Sequence, residues 1–125
     1  MNLEKVVFGF FIVLALTLNV AFVAGEIDNP AHHSVWLLFS AVVVNLIATI
    51  LKLGDRSQTG ALLLATALVA DLQLIVAALI LMFAPADGGE LLSTTALAVS
   101  LAYGALVANI VSVTLLVSET LMSGR

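Results

Sequence analysis

Asp71 is the residue of this sequence with the most capacity for chemistry, because it stands where hydrocarbon would be expected. It falls near the middle of a long apolar run, about Gly60–Ala84. An aspartate at the centre of a membrane-spanning helix costs roughly 2.5–3.5 kcal/mol on insertion scales, and such residues face the bundle interior. No Lys, Arg or His lies at a comparable depth in the other apolar runs, so no internal salt bridge is on offer. The carboxyl must then be protonated, hydrogen-bonded to neutral partners, or neutralised by a bound cation, since an unpaired buried carboxylate is too costly.

Neutral partners are present. Asn45 lies close to the centre of the second apolar run, Gln73 near that of the third, Asn19 somewhat outward in the first, and Asn109 somewhat inward in the fourth. Carboxamide and carboxylate oxygens suit hard cations, although Ca²⁺ or Mg²⁺ needs about six of them. The pattern points to a site for a proton or a monovalent cation centred on Asp71, with Asn45 and Asn19 or Asn109 as helpers. Asp71 and Gln73 are two positions apart, about 200° around a helix. At most one of them belongs to a central cluster, or Gln73 faces a neighbouring subunit. The competing structural reading is a polar knot that fixes helix register, worth about 0.6 kcal/mol per interhelical bond.

Other groups offer less. His32 and His33 are adjacent and point about 100° apart on a helix, whereas helical zinc ligands sit at i and i+4. With Glu26 and Asp28 nearby, an outer-face metal or pH sensor is a third-ranked reading, behind water-exposed interfacial histidines. There is no Cys, which removes disulfides, thiolate metal sites and Cys nucleophiles. Glycine-rich phosphate loops, Ser–His–Asp arrangements and a potassium-filter signature are absent. The chain reads as a non-enzyme with no implied cofactor.

The elements that position these residues follow from composition. Hydrophobic residues make up 62% and charged residues 10% of the 125, against about 45–50% and about 25% in soluble domains. That much apolar surface needs lipid as its solvent. With a net charge of −4 and four basic residues, a phosphate-binding stripe for nucleic acid is excluded. Four apolar runs, about Val6–Gly25, Val35–Leu53, Gly60–Ala84 and Leu91–Ser118, are each long enough to cross a hydrocarbon core of ~30 Å as helix. They predict an all-α integral membrane four-helix bundle, one transmembrane domain over 1–125, with helices at about 6–25, 30–53, 59–84 and 91–119. Asp28 or Asn29 is expected to cap the second helix, with Pro30 near its first position. The three connections are short, so sequence neighbours should pack antiparallel. A signal peptide ending at Val23-Ala24-Gly25 is the lesser reading, because the run has about 20 residues where a signal core has roughly 7–15.

Orientation follows from Lys5, Lys52, Arg56 and Arg125, which fall on one side if the helices alternate. The positive-inside rule makes that side the cytoplasm, with both termini there, in an inner (plasma) membrane. Trp36, Phe22 and Phe83 are expected near the outer interface and Phe8, Phe10 and Phe11 near the inner one. Lys52 is expected to pair with Glu4 or Glu119, and Asp55 and Arg56 to form a solvated turn. On the fourth run, Ala96, Ser100, Gly104, Ala108 and Ser112 place a small residue at every fourth position. Such a row allows close backbone approach, either within the bundle or at a subunit interface.

The opening Met1-Asn2-Leu3-Glu4-Lys5, the loop Gly25-Glu26-Ile27-Asp28-Asn29-Pro30, and the stretches Val44-Asn45-Leu46-Ile47-Ala48-Thr49, Gly54-Asp55-Arg56 and Leu68-Val69-Ala70-Asp71-Leu72-Gln73-Leu74 carry a family likeness. On them the chain resembles small four-helix inner-membrane proteins of proteobacteria that remain domains of unknown function. The resemblance implies a bacterial origin and no mechanism. The leading expectation is a homo-oligomeric protein with a proton or cation site or pathway at Asp71. The alternative is a non-transporting accessory or scaffold subunit bound to another membrane protein.

Overall fold

Long apolar segments that meet no water must satisfy their backbone groups internally, and helices are the local solution. The computed structural model describes residues 3–25, 34–55, 57–83 and 88–123, with side chains except at 88–92 and 123. It contains α1 (Leu3–Val23), α2 (Val35–Lys52), α3 (Gln58–Met82) and α4 (Gly88–Ser123). All four are long and apolar enough to cross a membrane, and the chain is a multi-pass membrane protein. Each helix packs on its sequence neighbours, and α4 closes the bundle against α1.

The helix ends are set by local chemistry. Behind α1, Gly25 takes a φ of 98°, the left-handed conformation that terminates helices and favours glycine. At the start of α2, Ser34 is extended (φ −70°, ψ 126°) and makes no side-chain cap. The helix therefore opens at Val35, later than residue 30. The expected capping residues Asp28 and Asn29 lie outside the described residues, as do Pro30, Arg56 and Arg125. Ser57 caps α3, its hydroxyl accepting from Gly60 N at 2.9 Å. Helix α4 has 36 residues, about 54 Å of rise, and overruns a hydrocarbon core of ~30 Å. Nothing after Glu90 breaks it.

The interior holds two apolar clusters. One gathers Phe22, Leu38, Ala70, Leu74, Ala98, Val99 and Ala102 with their neighbours. The other holds Phe8, Ile12, Ala48 and Leu63. Lipid tails are as apolar as these side chains, so close packing rather than the hydrophobic effect holds the helices together. Alanines do this best, and α3 and α4 meet through Ala70, Ala77 and Ala78 against Ala98, Ala102 and Ala105.

Two of the residues assigned to the interfaces belong to this interior instead. Phe22 and Phe8 are buried core members, because their helix positions point inward. Trp36 and Phe83 are each 80% exposed and sit at helix ends, where an aromatic ring can meet headgroups. Charges gather at the opposite end. Lys5 pairs with Glu119 at 3.5 Å, joining the first turns of α1 to the last of α4. Lys52 pairs with Asp55 at 3.3 Å rather than with Glu4 or Glu119, since Asp55 is the nearer acid along the chain. The start of α1 and the end of α4 thus lie on the same side as the end of α2.

Candidate proton or cation site

Between the two apolar clusters runs a polar belt. Along α1 the order is Phe8, Ile12, then Asn19, then Phe22; along α2 it is Leu38, Ala41, then Asn45, then Ala48. On α4, Asn109 and Ser112 follow the last alanine of the first cluster. On α3, Asp71 lies between Ala70 and Leu74 of the first cluster. Asn19, Asn45, Thr49, Asp71, Asn109 and Ser112 are all buried, so every helix contributes.

Asp71 turns inward toward α2 and is 5% exposed. Its Oδ2 lies 2.5 Å from Thr49 Oγ1. Thr49 Oγ1 is also 2.9 Å from the backbone carbonyl of Asn45, and Asn45 Nδ2 donates to Ala41 O at 2.8 Å. A threonine hydroxyl carries one proton. Here it stands between two acceptors, a carbonyl and a carboxyl oxygen.

On the other side of the belt, Asn19 and Asn109 pair. With the Asn19 amide turned to suit its neighbours, an assignment made from the hydrogen-bond network, it donates to Ala102 O at 3.0 Å and accepts from Asn109 Nδ2 at 3.2 Å. Thr66 and Ser112 join α3 to α4 with their hydroxyls 2.5 Å apart. Thr66 donates to Leu63 O at 3.0 Å, which leaves Ser112 as the donor between the two. Asn45 Oδ1, Asp71 Oδ1, Gln73 Oε1 and Asn109 Oδ1 are buried acceptors with no donor among the described residues. Also among the described residues, no three of His, Cys, Asp and Glu gather as metal ligands.

Gln73 lies apart from Asp71. Its amide crosses the backbone of Gly104, where an added β-carbon would fall 2.5 Å from Gln73 Nε2. The two line a groove of about 290 Å³ between α3 and α4. The row of five small residues on α4 is not one face. Each step of four advances about 40° beyond a full turn, so Ser100 is exposed while Ala108 and Ser112 are buried. His32 and His33 lie outside the described residues.

Thr49 and Thr66 are the polar partners that sequence reasoning missed. Thr49 carried a signal: it follows Asn45 by four positions and so shares its face. Thr66 carried none, because its partnership with Ser112 depends on how α3 and α4 slide against each other.

Residues 32–120 match the model of a family of unknown function, DUF6394, and the chain belongs to that family. Neither the curated proteins nor the solved structures yield a match.

Proposed function

We propose that this DUF6394 member binds a proton, or a monovalent cation, at Asp71 within the polar belt of an inner-membrane bundle. The observation that carries the reading is the single hydroxyl proton of Thr49 set between Asn45 O and Asp71 Oδ2. If Thr49 donates to the carbonyl, the short contact to Asp71 needs a proton on the acid. If it donates to Asp71, the carbonyl gives up a bond. One additional proton satisfies both acceptors, and a carboxyl group held this way can gain or lose it. The belt supplies further hydroxyls and carboxamides from all four helices, whose oxygens suit a hard cation.

In this reading both termini face the cytoplasm, because Lys5 and Lys52 share one end of the bundle and basic residues favour that side. The bundle interior is filled by side chains, so the belt acts as a binding site and not as a water-filled pore. Copies associate through the α4 face that carries the exposed Ser100.

The test is flux. In liposomes the wild-type protein is expected to carry protons (or a monovalent cation) under an imposed voltage, and Asp71→Asn to carry none. Equal flux in both, or none in either, ends the proposal.

A scaffold subunit is the second reading, favoured by the Asn19–Asn109 and Thr66–Ser112 pairs, which lock helices together without need of a proton. It predicts that a membrane-protein partner co-purifies in fixed ratio from native membranes.

A further inference from the structure

At the charged end of the bundle, a cavity of about 670 Å³ opens between the start of α1 and the end of α2. Its lining is mixed. Phe8 and Leu51 are apolar, Lys5 and Lys52 are basic, and Glu4 and Asp55 are acidic. The apolar part continues into hydrocarbon through the exposed Leu3 and Leu51. A cavity with this gradient, at the level where helix ends meet headgroups, suits an amphiphile better than a solute from water.

Lys52 is held in place before any ligand arrives. Its ammonium lies 4.4 Å from the centre of the Phe8 ring, a cation–π contact. Only 12% of its side chain is exposed. Asp55 contacts it at 3.3 Å, longer than the about 2.7–2.9 Å of a tight charge-assisted bond. Asp55 is itself fixed by Ser57, accepting from its N at 2.9 Å and its Oγ at 2.7 Å. An ammonium has three donors, and one carboxylate oxygen engages one of them.

We infer that this cavity binds the zwitterionic headgroup of a phosphoethanolamine-type membrane lipid, phosphate on Lys52 and Lys5, amine on Asp55 and Glu4. Among the described residues the lining carries two basic and two acidic side chains, which sum to zero formal charge, and Glu119 meets Lys5 from outside it. That balance matches a zwitterion and gives an anionic headgroup no net attraction. A primary amine donates hydrogen bonds to carboxylates, which a trimethylated amine cannot do. The site is independent of Asp71 and stands or falls separately from the proton reading.

Native mass spectrometry of the full chain released from detergent tests it, with phosphatidylethanolamine, phosphatidylcholine or phosphatidylglycerol added in turn. One phosphatidylethanolamine per chain is expected to stay bound in preference to the other two. Lys52→Gln should lower its retention about tenfold, the equivalent of one charge-assisted bond. Because Lys52 also packs on Phe8, the rim variant Lys5→Gln/Glu4→Gln gives a second reading, with retention lowered while thermal unfolding without lipid falls by no more than the small loss expected from exposed ion pairs such as Lys5–Glu119. Free phosphoethanolamine should not compete at equal concentration, since the acyl chains contribute. Equal or greater retention of phosphatidylglycerol or phosphatidylcholine, unchanged retention in both variants, or full displacement by free phosphoethanolamine would overturn the assignment.

Discussion

Thr49 Oγ1 stands 2.5 Å from Asp71 Oδ2, and that one contact ties the acid of α3 to the polar face of α2. It separates two roles that a substitution can pull apart. Thr49→Val keeps the shape and removes the hydroxyl, leaving Asp71 with no side-chain donor. Loss of a buried partner costs about 1–3 kcal/mol, and unfolding in detergent should report a decrease of that size. Thr49→Ser keeps the hydroxyl and should keep most of the stability. A valine variant as stable as wild type would show that the contact is not a hydrogen bond.

The Asn19–Asn109 pair bridges α1 and α4. Interhelical hydrogen bonds of this kind average about 0.6 kcal/mol in membrane bundles. A double-mutant cycle with Asn19→Ala and Asn109→Ala should return a coupling of that order. Additive effects would mean the two carboxamides do not meet.

Gly60 sits against the carboxylate of Asp55, where a β-carbon would collide with the acid. Gly60→Ala should expel Asp55 from its bonds to Ser57 and Lys52 and cost about 1 kcal/mol, the value of a typical net hydrogen bond. If the acid is what matters, adding Asp55→Ala to Gly60→Ala should cost nothing further. The thermal midpoints of the two variants would show it.

The same turn gives a pH dependence. The Ser57 backbone N–H and then its hydroxyl hold the Asp55 carboxyl below the usual aspartate range, against an opposing effect of burial, with Lys52 adding less than either. A lowered folded-state value means the stabilisation is fully present above the ordinary aspartate range. It is lost as pH falls through the lowered value. Wild type should therefore exceed Asp55→Asn in stability near neutral pH, and the gap should close on acidification. The difference is small because Asp55 is solvent-exposed and screened. A gap that widens toward acid pH would reverse the sign and contradict the geometry.

The helices were legible because run length and composition decide them. The breaks at Gly25 and Ser57 could be read from turn chemistry, and the carboxamides on each span could be seen as a set. Which of them meet could not be read. Asn19 reaches Asn109, while Asp71 reaches a threonine instead of Asn45, because helix rotation and offset are fixed by alanine packing spread over the whole α3–α4 contact. Phe8 and Phe22 show the same limit. An aromatic near a helix end serves the headgroup region or the core according to its angle on the helix, and the angle comes from the neighbours. The row from Ala96 to Ser112 looked like one face because a spacing of four is near 3.6, yet over sixteen residues the remainder carries it about 160° around the helix.

Infrared spectroscopy of the protein in lipid reads whether Asp71 carries an exchangeable proton. A carboxylic-acid C=O band is expected that shifts on exchange into D₂O, is perturbed in Thr49→Val, and is missing from Asp71→Asn. An identical carboxylic-acid region in wild type and Asp71→Asn would contradict it.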